Sequence, residues 1–247
     1  MFGVNQWLKL LKPARAMVLW AMLVVPSHAI DIELYTYEVA PFAMYEQGQA
    51  TGLLVEVLDE LFERANLSYQ LQFVPLKRAL ITVKRQPNKC VLPVTRSQER
   101  EAQFQWVSPV AIYRFGFFSK PSQSYDLTTL IDAKPYRIGS FLGSGIGEYL
   151  QSLGFTVELS STTQQNFAKL NRDRIDLWAA ELISAKHIAS ANGVAMEPQM
   201  VFYTALGAMA CNDKLNPAHL SLLQSTLNGM YQDGFMGRIY HRYGVDI

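Results

Sequence analysis

The residues with the clearest capacity for ligand chemistry, Thr95 and Arg100, follow a short apolar run. The segment CVLPVTRSQER, residues 90–100, starts as an apolar strand and becomes abruptly polar at Thr95. A short turn opening a helix would direct the Thr95 hydroxyl, backbone N–H groups and the Arg100 guanidinium towards one anion. Open α/β sheets bind ligands at the carboxyl ends of their strands, where Thr95 is predicted to lie. The alternative is a solvated helix start with surface arginines.

Two further segments place polar groups at predicted strand ends. Glu181 ends the apolar segment IDLWAA of residues 175–180, where its carboxylate could pair with a ligand ammonium group or simply cap a helix. The turn Gly143-Ser144-Gly145 precedes a predicted helix and offers N–H groups and a hydroxyl to an anion. Glycines are also common in ordinary turns, so this signal is weak by itself.

Arg78 stands near the start of another predicted helix, just after a predicted strand. A cation at a helix N-terminus opposes the helix dipole, which is mildly unfavourable. This position therefore indicates a role such as binding an acidic ligand group, with a surface arginine as the alternative.

The elements that would position these residues alternate between strands and helices, which predicts a parallel α/β sheet. The first unit has strands over residues 30–37, 68–74 and from Cys90, and helices over residues 52–65 and 76–85. After a polar break, a second unit has strands over residues 136–141, 155–159 and 175–180, and helices over residues 146–153, 163–172 and 182–191. Extended runs cover residues 110–119 and 201–210, and one or two helices are predicted over residues 217–243.

The first 29 residues have the composition of a secretory signal. Three basic residues precede the apolar core of residues 16–25, and the small residues Ser27 and Ala29 predict cleavage after Ala29. The core is shorter than the roughly 20 residues that span a bilayer. The alternative is an N-terminal membrane anchor.

The composition of the remaining chain limits its partners. Removal of the leader takes three basic residues, so the 22 Lys and Arg become 19 against 21 Asp and Glu. This near-neutral balance argues against nucleic acid, which requires a basic face. Cys90 and Cys211 both remain, without a CxxC motif or a Cys/His spacing suited to zinc. No metal and no cofactor are expected.

The segment from Cys90 to Pro109 resembles family 3 of the periplasmic solute-binding proteins, the amino-acid-binding components of ABC importers. The shared pattern is an apolar strand, then T/S-x-T/S-x-x-R, then an aromatic residue and Ser-Pro. The resemblance implies an α/β, two-lobed periplasmic-binding-protein-like (type II) fold with a central ligand cleft. It implies lobe 1 over residues 30–117 plus 203–247, and lobe 2 over residues 118–202.

The resemblance also assigns roles to the candidate residues. Arg100 would hold a ligand carboxylate with help from Thr95, Ser144 and backbone N–H groups. Glu181 matches by position the acid, commonly Asp, that holds an α-amino group. Gly145 replaces a usual hydroxyl residue. Val39 replaces a usual stacking aromatic, so that Tyr37 or Phe42 would substitute for it, unless both are plain core aromatics.

The same two-lobed arrangement implies a pairing for the cysteines. If the strand that returns to lobe 1 lies antiparallel beside the strand that begins at Cys90, then Cys90 and Cys211 meet at one end of the ladder. Export to an oxidising compartment favours a disulfide. Two buried free thiols are the alternative.

The function that the resemblance implies is capture of a small carboxylate-bearing ligand, an amino acid or related zwitterion, between two closing lobes. The protein would be a periplasmic monomer without enzymatic activity. The partner would be an ABC permease in the inner membrane. One alternative is a ligand-sensing module that signals to a membrane receptor. Another is a dehydratase-like enzyme with Glu181 as the general acid. The departures at Val39, Gly145 and Glu181 leave a dicarboxylate, a polyamine or a modified amino acid open as ligand.

Overall fold

The structure, a computed structural model, describes residues 31–243, and the predicted leader lies outside them. The strands are β1 Ile32–Thr36, β2 Met44–Glu46, β3 Gln49–Thr51, β4 Tyr69–Phe73, β5 Lys89–Thr95, β6 Gln105–Phe118, β7 Ile138–Phe141, β8 Val157–Ser160, β9 Leu177–Glu181 and β10 Pro198–Cys211. The helices are α1 Leu53–Ala65, α2 Leu76–Arg85, α3 Gln98–Glu101, α4 Gly145–Ser152, α5 Thr163–Asn171, α6 Leu182–Ala191, α7 Pro217–Gln232 and α8 Phe235–Arg242, with a 3-10 turn at Leu130–Ala133.

The strands form two α/β units that share one eight-stranded sheet in the order β4-β1-β5-β10-β6-β9-β7-β8. We call β1, β4 and β5 with α1 and α2 the first unit, and β7, β8 and β9 with α4, α5 and α6 the second unit. Pairing is parallel within each unit, as predicted. The long strands β6 and β10 pair antiparallel with each other and connect the two units.

The pattern of apolar residues explains how the first unit holds together. Helix α1 buries Leu54, Leu58, Leu61 and Phe62 on one face and ends at Asn66 in the left-handed conformation. Strand β5 is buried almost throughout, as a central parallel strand covered on both faces should be. Helices α7 and α8 pack on α1, so the end of the described chain returns to the first unit.

The short hairpin of β2 and β3 was not predicted. Its turn residues Gln47 and Gly48 both have positive φ, which is the geometry of a tight two-residue hairpin turn. The hairpin strands are only three residues each and mostly exposed, so they carry almost no apolar alternation. The signal that identifies longer strands is therefore missing here.

Cys90 and Cys211 form a disulfide, which confirms the predicted pairing. They lie opposite each other in the antiparallel ladder of β5 and β10, and both are completely buried. The bridge closes a loop of 121 residues that contains the whole second unit.

Loss of this bridge is expected to reduce the free energy of unfolding by about 2–4 kcal/mol, because cross-linking a long loop restricts the unfolded chain. The measurement is urea unfolding of the oxidised protein and of the double variant Cys90→Ala, Cys211→Ala. A reductant should lower the stability of the parent protein and leave that of the double variant unchanged. Equal midpoints for the parent with and without reductant would contradict the prediction.

Candidate functional site

The two units face each other across a cleft that contains two connected cavities. The central cavity is small, about 30 Å³, and the outer cavity is about 360 Å³. Both are lined by Tyr37 and Leu76 from the first unit and by Phe141 from the second. A volume of about 30 Å³ holds a water molecule or a small charged group, whereas the outer cavity is in the range of small-molecule sites.

Five of the eight predicted binding residues line the central cavity: Tyr37, Phe42, Thr95, Ser144 and Glu181. They come from the ends of β1, β5 and β9 and from the start of α4. The cleft therefore lies at the carboxyl ends of the parallel strands, where ligands of open α/β sheets bind. The central cavity is also lined by Tyr113 and Ser184, which the sequence did not single out.

Glu181 is held in an unusual electrostatic position. Its Oε2 accepts the N–H of Ser184 at 2.8 Å and so caps helix α6, while its Oε1 has no hydrogen-bond partner. Burial raises the pKa of the Glu181 carboxyl to about 7, although backbone N–H groups and Arg114 act in the opposite direction. The residue thus has both roles considered from the sequence, that of helix cap and that of cavity acid.

Two buried hydroxyls adjoin the same cavity and are also unpaired. Neither the Tyr113 hydroxyl nor the Ser184 hydroxyl has a hydrogen-bond partner. Burial raises the pKa of Tyr113 far above its usual value, so the phenol stays neutral. Leaving such groups unsatisfied costs about 1–3 kcal/mol each. Three unpaired polar atoms at one cavity therefore indicate a place where a polar ligand group would bind.

The walls around these groups are aromatic. Phe42 contacts Tyr113 edge to face with ring centroids 5.2 Å apart, and Tyr37 contacts Phe141 at 5.7 Å. The Tyr37 hydroxyl donates to the Pro93 carbonyl, which fixes its ring. Such walls suit an apolar ligand body with one polar end.

The start of helix α4 is packed tightly against the first unit. The Ser144 hydroxyl accepts the N–H of Gly147 at 3.1 Å and lies 3.0 Å from the Ser140 hydroxyl. A Cβ atom on Gly145 would lie 2.8 Å from the Cβ of Thr95, closer than real contacts allow. Gly145 therefore lets the two units approach each other at this point.

The two predicted arginines do not line either cavity. Arg100 is buried, and its Nη2 donates to Glu148 Oε2 at 2.6 Å and to the Gly143 carbonyl at 2.8 Å. Arg78 is exposed on α2. The assignment of both as ligand-binding residues stays a prediction.

The outer cavity extends the central one past the shared aromatic wall. Its lining is mainly apolar, with Glu38 and Lys77 as its charged residues and a hydroxyl-bearing edge at residues 161–163. Lys77 is the one cation among the described residues that line the two cavities.

The sequence contains only weak signals for Tyr113 and Ser184, the two polar cavity residues that were not predicted. Tyr113 belongs to the aromatic run of β6, in which Tyr113, Phe115 and Phe117 alternate onto one buried face. A hydroxyl on such a face needs a partner, and that requirement could have identified it. Ser184 follows Glu181 at the spacing of a helix cap. This spacing explains the residue by its backbone N–H alone and gives no reason to consider its hydroxyl as a ligand contact.

Comparison with solved structures places this arrangement among two-lobed binding proteins. The histidine kinase sensor domain with similarity to periplasmic binding proteins has a TM-score of 0.79 at 15% identity, covering 86% of this chain and 95% of that one. The arginine-, lysine-, histidine-binding protein ArtJ from Geobacillus stearothermophilus has 0.77 at 17%, covering 88% and 96%. An ancestral amino acid-binding protein, a precursor of cyclohexadienyl dehydratase, has 0.74 at 14%, covering 86% and 94%.

These likenesses confirm the two-lobed α/β fold that the sequence resemblance implied. No match to a curated protein was found. The sequence matches the bacterial extracellular solute-binding proteins, family 3, over residues 34–246, which is nearly the whole described chain. The chain therefore belongs to family 3 of the bacterial extracellular solute-binding proteins.

Proposed function

We propose that this protein captures a small amine-bearing solute, an amino acid or a related amine, between two closing lobes and delivers it to an ABC permease. The lobes would be residues 30–117 with 203–247, and residues 118–202, and they contain the first and second units. The protein would act in the periplasm after removal of residues 1–29. None of the helices within residues 31–243 has the length and apolar character needed to span a bilayer.

The observation that carries the proposal is the group of unpaired acceptors at the central cavity. Glu181 Oε1, the Tyr113 hydroxyl and the Ser184 hydroxyl are all buried without a partner. A primary ammonium group has three N–H donors and a positive charge, so it would satisfy these acceptors and favour ionised Glu181. The ammonium group would occupy the central cavity and the ligand body the outer one.

The position of the central cavity between the two proposed lobes favours closure of the lobes on the solute. The central cavity is lined by Tyr37, Phe42 and Thr95 from one proposed lobe and by Ser144 and Glu181 from the other. A solute that contacts both sides binds the closed form better and shifts the population towards it. Closure also excludes water, which strengthens the charge pair with Glu181.

The test compares ligand affinity with stability in two conservative variants, Glu181→Gln and Tyr113→Phe. Glutamine keeps an oxygen for the Ser184 N–H, and phenylalanine keeps the ring. Glu181→Gln removes a buried charge and Tyr113→Phe removes an unpaired buried hydroxyl, so at pH 7.5 we expect each ligand-free variant to be as stable as the parent or more stable. Affinity for the best amine in a calorimetric screen of amines and amino acids should fall about tenfold or more, since a charged hydrogen bond is lost.

Glu197→Gln is the matched control, because Glu197 pairs with Lys186 on the surface and neither residue lines a cavity. It should leave affinity unchanged. Reduced stability with unchanged affinity in Glu181→Gln would show that Glu181 serves only as a helix cap. Recovery of the solute unaltered after incubation separates binding from turnover.

A further inference from the structure

The Arg100 guanidinium, which the family resemblance assigns to a ligand carboxylate, is already bound to a carboxylate of the protein. Arg100 lies in the first proposed lobe, and its two close acceptors, Glu148 Oε2 and the Gly143 carbonyl, both lie in the second. The side chain of Arg100 is only 7% exposed. The charge of Arg100 is therefore neutralised across the cleft without any ligand.

The position of Glu148 suits this role. Glu148 is in the first turn of α4, where the helix dipole favours a negative charge. Its side chain is 44% exposed, so it reaches Arg100 from the rim of the cleft. Because the partners belong to different lobes, the pair forms when the lobes approach each other.

The Ser144 hydroxyl of the implied anion site is also engaged. The Ser144 hydroxyl caps its own helix and contacts Ser140. Gly145 packs so closely on Thr95 that even a methyl group would not fit. The Gly145–Thr95 contact and the Arg100–Glu148 pair thus take up part of the region where a ligand carboxylate would be expected.

The charged residues that line the cavities also disfavour a ligand carboxylate. Neither cavity is lined by Arg100, and Glu38 and Glu181 are the acids that line them. A carboxylate attached next to the ammonium group would have to enter the aromatic central cavity beside Glu181. It would lie there without a cationic partner, since Lys77 lines only the outer cavity.

We infer that the solute is an amine whose ammonium-bearing carbon carries no carboxylate, because Glu148 occupies Arg100 in the closed cleft and the central cavity is lined by an acid and by no cation. This inference rests on the proposed function and narrows its ligand class. The aromatic walls formed by Tyr37, Phe73 and Phe141 suit an apolar body. The ligand class is thus that of decarboxylated amino acids with apolar side chains.

Matched pairs of probes test the inference by calorimetry on the mature, ligand-stripped protein. The pairs are 2-phenylethylamine with L-phenylalanine, and 3-methylbutylamine with L-leucine, which differ only by the carboxylate. We expect each amine to bind at least about tenfold more tightly than its amino acid, the ratio that one unpaired buried group typically produces. An amino acid that binds as tightly as its amine, or more tightly, overturns the inference.

The variant Glu148→Gln tests the reason for this preference. It removes the competing charge and frees the Arg100 guanidinium, so the amine-to-amino-acid affinity ratio should fall about tenfold or reverse. Taking the ratio cancels any general effect of the variant on closure. Glu158→Gln, which removes an exposed acid of the second unit that pairs with Lys169, should leave the ratio unchanged. A ratio unaffected by Glu148→Gln would show that Glu148 does not exclude the carboxylate.

The outcomes separate this inference from the proposed function. If the amino acids bind and the amines do not, the protein is still a solute-binding protein and only the inference fails. If neither class of probe binds, both fail.

Discussion

Between pH 7 and pH 5 the affinity of the protein for its amine is expected to fall about fiftyfold, because Glu181 must be ionised to pair with an ammonium group. Burial raises the pKa of Glu181 to about 7 in the ligand-free protein. Each pH unit below that value lowers the ionised fraction of Glu181 about tenfold, and the protonated acid offers no charge to the ligand. Above pH 7 the affinity should be constant until the amine itself loses its proton.

The measurement is the dissociation constant from pH 5 to pH 8 for the parent and for Glu181→Gln. In the variant this pH dependence should disappear. An affinity that is flat across the range in the parent would show that no titrating carboxyl contacts the ligand.

The unfolding free energy of the ligand-free protein provides a control, because it should fall as the pH rises, whereas the ligand affinity should rise. A carboxyl whose pKa is raised on folding stabilises the folded state below its unfolded pKa, 4.5, and loses that contribution as the pH rises through about 7. Relative to Glu181→Gln, the parent should therefore lose about 3 kcal/mol of unfolding free energy over this interval. Urea unfolding at both pH values measures the difference.

Replacing Gly145 by alanine is expected to weaken ligand binding about ten- to a hundredfold, because the added methyl group prevents full closure. The new Cβ would lie 2.8 Å from the Cβ and 3.0 Å from the Cγ2 of Thr95. Thr95 is β-branched and fixed on strand β5, so relief requires the lobes to separate. Overpacking of this kind costs about 1–3 kcal/mol, and here the cost would fall on the closed state.

Gly229→Ala is the matched control, because a Cβ on Gly229 would meet no atom within 4 Å and the residue lies in helix α7. It should leave affinity unchanged. Small-angle scattering should show that Gly145→Ala remains more open than the parent in saturating ligand. A variant that closes and binds like the parent would show that the contact with Thr95 is relieved locally.

Features encoded by neighbouring residues could be predicted from the sequence, and those encoded by distant pairs could not. Helix α2 begins at Leu76 and ends at Arg85 as predicted, because its apolar positions and the following Gln-Pro-Asn are local signals. Thr95 and Glu181 could be placed in the cleft because each follows a buried strand. The disulfide was predicted from the order of strands that the family resemblance supplied.

The contact between Arg100 and Glu148 shows what the sequence does not reveal. The two residues are 48 positions apart and lie on different units, so no helical or strand spacing relates them. Their pairing depends on how closely the units approach, which in turn depends on the absence of a side chain at Gly145. The burial of Glu181 is likewise a property of the assembled cleft, because the strand and helix patterns around it are those of any capped helix.

The disulfide also determines when the protein can finish folding. Strand β5 lies between β1 and β10 in the sheet. Cys90 cannot form its disulfide until Cys211 has been synthesised. During synthesis, the first unit therefore keeps an apolar strand edge uncovered until the chain has been made as far as residue 211. Exposed strand edges of this kind recruit other chains and cause aggregation. The first unit to be synthesised is thus the last to have its sheet edge covered, because strand β10 follows the whole second unit in the chain.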